Sequence, residues 1–140
     1  MKAIVVRAFG DPSVMQLEEV PVPSPGPGQV LVRVHAAGVN PVETYVRAGT
    51  YARKPALPFT PGGDAAGVVQ ALGAGAAQFK VGDRVYAFGS HSGAYAQQLV
   101  AAEGQLARLP AEASFAQGAA LGVPYATAHY ALFARGKAVP

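Results

Sequence analysis

"VLVRVHAAGVNPVETYVRAG", residues 30–49, holds two opposite periodicities in one run. Val30, Val32 and Val34 alternate with Leu31, Arg33 and His35, the period of a strand that buries one face. After Gly38 the alternation stops. Asn40 is a strong helix N-cap type, Pro41 suits the first helical position, and the Glu43 carboxylate can reach back to the N–H of the cap. Gly49 supplies a natural stop. The stretch predicts a strand that feeds a short helix, with Val42, Tyr45 and Val46 on one side of it. On spacing alone, Asn40 is a cap and Tyr45 a core or rim aromatic, and a ligand-facing role stays open beside that account.

Working outward, residues 3–8 (AIVVRA) and Val14 to Val20 read as strands. The tract 21–29 (PVPSPGPGQ) must be a loop, because proline removes backbone donors and fixes φ. From Asp64 onward "AAGVVQAL", "VGDRVYAF" and "GAYAQQLVA" repeat the strand pattern between turns. "LGAGAAQ", residues 72–78, is one of those turns and not a nucleotide loop: Gln78 stands where a third glycine would fall, and the segment links two strands. At Ser114 the period changes. "SFAQGAALG" and "VPYATAHYALFARG" read as helical, with Pro124 in a first turn, Arg135 near the negative end and Gly136 as the stop. Tyr125, Ala128, His129, Leu132 and Phe133 then fall on one helical face. The expected fold is mainly β with a few helices, an antiparallel sandwich or partly open β-barrel with one early helix inserted.

Composition narrows the function. At 140 residues, 51% hydrophobic and 14% charged, the chain has the size and core-forming content of one ordinary folded domain. It has no cysteine, which excludes disulfides and thiolate metal sites and leans toward a cytoplasmic location. No apolar run approaches the length of a membrane span. The net charge of +3 comes from scattered cations, with only Arg53 and Lys54 adjacent, which argues against a nucleic-acid surface. His35, His91 and His129 lie on separate elements with no paired spacing, so structural roles are expected of them and no metal site is predicted.

Residue identity adds a family. "VHAAGVNPVETYVRAGTYARKPALPFTPGGDAAGVVQALG", with "FKVGDRVYAF", "GAYAQ" and "QGAALGVPYATAHYAL", strongly resembles quinone oxidoreductases of the zeta-crystallin type, in the medium-chain dehydrogenase/reductase superfamily. The resemblance covers essentially the whole chain. It implies a GroES-like catalytic domain over residues 1–122, with 123–140 leading to an absent Rossmann domain that would bind NADPH. It also implies that Asn40 and Tyr45 face the nicotinamide and substrate cleft as catalytic and cofactor-binding residues, that Thr127 lies near the nicotinamide end, and that Tyr51 walls the quinone pocket. Zinc-dependent alcohol dehydrogenases of the superfamily carry a cysteine in the loop matching Asn40 and Gly-His-Glu where this chain has Gly62, Gly63 and Asp64. The resemblance therefore implies a zinc-independent, NADPH-dependent reductase of quinones.

That absence agrees with the chemistry, since a quinone is already a strong electron acceptor and needs no Lewis acid to polarise it. Neutral donors such as the Asn40 amide and the Tyr45 hydroxyl would suffice beside the developing oxyanion. The chain alone is expected to bind NADPH weakly, and the full-length protein to be a homo-oligomer. An NADPH-dependent enal or enoyl reductase is the alternative within the superfamily. A GroES-like module that binds a partner, RNA included, is the alternative outside enzymes.

Overall fold

The computed structural model describes residues 1–90 and 92–139; the His91 reading lies outside them. Seven strands and three α-helices follow one another in the order β1 Lys2–Val6, β2 Met15–Glu19, β3 Gln29–Ala37, α1 Pro41–Ala48, β4 Asp64–Leu72, β5 Arg84–Phe88, β6 Gln98–Ala102, β7 Leu106–Arg108, α2 Phe115–Ala119 and α3 Gly122–His129. A π-helical stretch, Tyr130–Arg135, continues α3.

All pairing is antiparallel. β1 and β2 form a small sheet, and the other five strands form a second in the order β6-β3-β4-β5-β7. β1 also makes single bridges to the segments that precede β6 and β4, Ala3 to Ala96 and Val6 to Phe59. The mainly β expectation holds, and the sheets are open. β6 pairs only with β3 and the short β7 only with β5, so the edges of the larger sheet never join into a closed barrel.

The alternation read in residues 30–36 has the face assigned to it. Val30 and Val32 are buried with Val69, Val85, Leu99 and Leu106, and Val34 packs against the same core. Val32 sits in register between Val69 on one side and Leu99 on the other. Small residues at the start of β4 make room for a second layer. Ala66 packs with Leu109 and Ala119, where α2 crosses the sheet. Gly118 allows that approach, since a Cβ there would lie 2.9 Å from Leu109 and 3.0 Å from Ala66. Ser114 caps α2 by accepting from the Gln117 N–H at 3.2 Å.

Strand readings shift at their edges. "VGDRVYAF" is strand only from Arg84, because Gly82 turns the chain at φ 93°. "GAYAQQLVA" is ladder only from Gln98, and its first half bridges to β1 instead. The three-residue β7 is too short to show a period and escaped the reading. The proposed helical face of Tyr125, Ala128, His129, Leu132 and Phe133 is exposed throughout. Widening to a π-helix after His129 also breaks the 3.6-residue repeat that would have held that face in line.

Candidate functional site

Helix α1 begins where β3 ends, so the cap of α1 lies beside the first residue of β4. The sequence reason is the one that opened the fold. Asn40 is extended, Pro41 starts the helix, and Gly49 ends it with a left-handed φ of 74°. The Glu43 carboxylate accepts from the Asn40 backbone N–H at 2.8 Å, while the Glu43 N–H donates to the Asn40 backbone carbonyl at 3.1 Å. The Glu43 carboxylate and the Asn40 backbone carbonyl thus serve the start of the helix, and the Asn40 side chain makes no cap hydrogen bond.

That side chain turns inward. Asn40 is only 4% exposed, and its Nδ2 donates to Asp64 Oδ2 at 3.0 Å. Asp64, fully buried at the start of β4, accepts with the same oxygen from the Val123 N–H at 2.7 Å, in the first turn of α3. Placing a carboxylate there suits the positive end of the helix. Its other oxygen, Oδ1, is the one fully buried side-chain polar atom without a hydrogen-bond partner among the described residues. Asn40 Oδ1 also has no such partner among the described residues. Asn40 lines a cavity of about 250 Å³ with Gly38, Val39, Ala119, Ala120 and Pro124.

A second network stands behind it. Glu43 Oε1 accepts from the Gly63 N–H at 2.9 Å, and Glu43 Oε2 takes the Tyr95 hydroxyl together with the Asn40 N–H. Burial, then the hydrogen bond to Glu43 and the negative charges of Glu43 and Asp64, push the Tyr95 hydroxyl well above the ordinary tyrosine range. Glu43 therefore ties α1 to the loop before β4 and to the segment before β6. It also borders a groove of about 440 Å³ floored by Val46, Pro55, Phe59 and Pro61, with Arg53 and Lys54 at its rim.

The other expected site residues are exposed. Tyr45 is 54% exposed and Tyr51 42% exposed, and Thr127 is on the open side of α3. None of the three lines the cavities that Asn40 lines. Asn40 was read as a donor; one N–H of its amide nitrogen goes to Asp64, which leaves its second N–H and its carbonyl oxygen. Asp64, Glu43 and Tyr95 carried no sequence-level assignment as site residues. A carboxylate in an otherwise small and apolar run, "GGDAAGVV", is the signal that could have marked Asp64. His35 is exposed and stacks on Phe115 at 4.3 Å, and His129 packs on Phe133 at 5.0 Å, both structural placements.

A model of the alcohol dehydrogenase GroES-like domain matches residues 26–111, which spans β3, α1, the Asn40–Asp64 contact and every strand through β7. The chain belongs to the alcohol dehydrogenase GroES-like domain family. Within that family it is 53% identical over 139 residues to the quinone oxidoreductase of Rattus norvegicus, covering 99% of this chain and 42% of that protein. Among solved structures, quinone oxidoreductase from Pseudomonas syringae pv. Tomato DC3000 superposes with a TM-score of 0.88 at 40% identity. Escherichia coli quinone oxidoreductase complexed with NADPH superposes with a TM-score of 0.89 at 36% identity. Each comparison covers 94% of this chain and 40% of the solved one. The chain thus spans about 42% of the length of its rat relative. The resemblance to quinone oxidoreductases of the medium-chain superfamily holds across this GroES-like domain.

Proposed function

We propose that this GroES-like chain is the substrate-side domain of an NADPH-dependent quinone oxidoreductase that works without zinc. The single observation that carries the reading is 53% identity, over nearly the whole chain, to a protein named quinone oxidoreductase. Solved relatives named as NADPH complexes support the choice of cofactor. The residues present fit such a group. A nicotinamide nucleotide brings amide and sugar hydroxyl donors, and Asn40 Oδ1 is an unpaired acceptor beside a cavity. Asn40, with Tyr45 and Thr127, would hold its nicotinamide end, and residues 123–140 lead toward the domain that would hold the rest.

Bound NADPH supplies the hydride. This chain's own residues position and enclose. Asn40 offers a fixed polar contact, and the groove beside Glu43, lined by Val46, Pro55, Phe59 and Pro61, is apolar enough to receive an aromatic ring. Tyr51 walls the substrate side in this reading. The donor set supports zinc independence: the chain contains no cysteine, and asparagine and glycine stand at the positions matching the cysteine and histidine ligands of zinc-dependent relatives.

The reading is tested in the full-length protein. NADPH oxidation should proceed with ortho- and para-quinones, run much more slowly with enals, and be unchanged by a strong zinc chelator. Chelator-sensitive oxidation of alcohols would sink it. Faster turnover of enals than of quinones would transfer the assignment to the reductases of activated double bonds.

A further inference from the structure

The Asn40–Asp64 contact has a direction. A carboxylate accepts hydrogen bonds and donates none, so the end of the Asn40 amide that meets it must be the nitrogen. Two N–H groups converge on Asp64 Oδ2, from Asn40 and from Val123, which fixes that oxygen between the cap of α1 and the start of α3. Asp64 cannot drift. It is fully buried, Gly38 and Gly122 press on it from two sides, and a Cβ on Gly122 would stand 2.2 Å from Oδ1. No arginine, lysine or histidine hydrogen-bonds it among the described residues, so the two N–H donors are its hydrogen-bond partners there.

We propose that Asp64 is a positioning residue: by holding one N–H of the Asn40 amide it fixes which way the amide faces, so that the carbonyl oxygen is presented to the cavity and takes a hydrogen bond from a donor on the ligand bound there. The inference rests on the proposed function for the identity of that ligand, a nicotinamide nucleotide whose carboxamide N–H or ribose hydroxyl meets Asn40 Oδ1. It adds an acceptor role to the donor role that the residue type suggests, because a neutral amide can serve either way and Asp64 engages only one of its two N–H groups. The same oxygen of Asp64 also links the cavity to α3, so the orientation of Asn40 and the seat of the helix that carries Thr127 are set by one group.

Two measurements test this. In the 140-residue chain, the Asn40 side-chain amide should give two well-separated proton resonances with slow solvent exchange. Asp64→Ala should merge and deprotect them, while Asp64→Asn, which keeps an acceptor oxygen in place, should preserve them. In the full-length protein, dissociation constants are measured for NADPH, for its analogue with acetyl in place of the carboxamide, and for its analogue lacking the 2′-hydroxyl of the nicotinamide ribose. One of the two analogues should bind about tenfold more weakly to the wild type, the size of one lost hydrogen bond. Asp64→Ala should bring that preference to within about twofold, and Asp64→Asn should keep most of it. A merely structural role would shift all three nucleotides alike.

A folded Asp64→Ala protein with the preference intact, or a wild type without any preference, would overturn the positioning role. A wild type that binds none of the nucleotides would instead overturn the proposed function. If Asp64→Ala does not fold, the wild-type amide resonances and the Asp64→Asn constants decide: a freely exchanging Asn40 amide sinks the inference.

Discussion

Gly122 lies against Asp64 so closely that a β-carbon on it would meet Asp64 Oδ1 at 2.2 Å and Cγ at 2.7 Å. The carboxylate is fully buried and fixed by two hydrogen bonds, so it has nowhere to retreat. Gly122 opens α3, and an alanine in a helix ordinarily stabilises by up to about 1 kcal/mol. Here the sign reverses. Gly122→Ala should lower stability by about 1–3 kcal/mol through overpacking, read as a fall in the urea midpoint. Gly63→Ala is the control, since nothing stands within 4 Å of its β-carbon and its φ is ordinary. It should change stability by less than about 0.5 kcal/mol.

Leu99 is wholly buried and faces Val32 across the β3–β6 ladder. Leu99→Ala removes side-chain atoms from the middle of the core and leaves a void that Val30, Val32 and Val69 are too short to fill. The expected loss is about 2–5 kcal/mol by denaturant unfolding. The exposed Leu17, on the outer side of β2, is the contrast, and Leu17→Ala should cost under about 1 kcal/mol.

These two sites mark what the sequence could and could not disclose. Val30, Val32 and Val34 declared their buried face by period alone, and Asn40, Pro41, Glu43 and Gly49 declared a helix by position. Both signals are local, which is why they survived folding unchanged. The contacts that build the site span long stretches of chain: Asn40 to Asp64, Glu43 to Tyr95, Asp64 to Val123. No periodicity encodes such pairings. The amide direction of Asn40 depends on a neighbour that spacing does not reveal, so residue type alone could not orient it. The strand β7 was equally hidden, because it is three residues long and its pairing is decided by β5.

Tyr95 donates to Glu43 from a partly buried position, and its ionisation is shifted upward by that burial and by the nearby carboxylates. The folded state therefore holds the hydroxyl proton more tightly than the unfolded chain does. The sign follows: stability from this group is whole below the ordinary tyrosine value of about 10 and falls as pH rises above it toward the folded value. Tyr95→Phe should destabilise the protein by about 1.5–3 kcal/mol near neutral pH, the worth of a hydrogen bond to a charged group. The gap between wild type and variant should narrow above about pH 10. Urea titrations across that range check it, and a gap that widens with pH would contradict the assignment.

Glu43 joins Asn40, Gly63 and Tyr95 through donors that all point at its two oxygens. Replacing a surface glutamate by glutamine is usually harmless. At this position glutamine brings only one acceptor oxygen. If that oxygen takes the place of Oε2, it can still serve the Asn40 N–H and the Tyr95 hydroxyl, but the new amide group then faces the Gly63 N–H, donor against donor. In the opposite orientation Gly63 is served and the Asn40 N–H is left facing an amide. Either way a backbone donor in a half-buried position loses its partner, so Glu43→Gln should cost about 1–3 kcal/mol although it preserves shape. Glu43→Ala should cost at least as much. The mechanism also predicts where the loss appears: amide hydrogen exchange should accelerate at Gly63 or Asn40 while the buried amides of Val32 and Val69 stay protected after correction for global stability. Uniform acceleration across the sheet, or a glutamine variant as stable as the wild type, would mean that the three donors do not depend on a carboxylate.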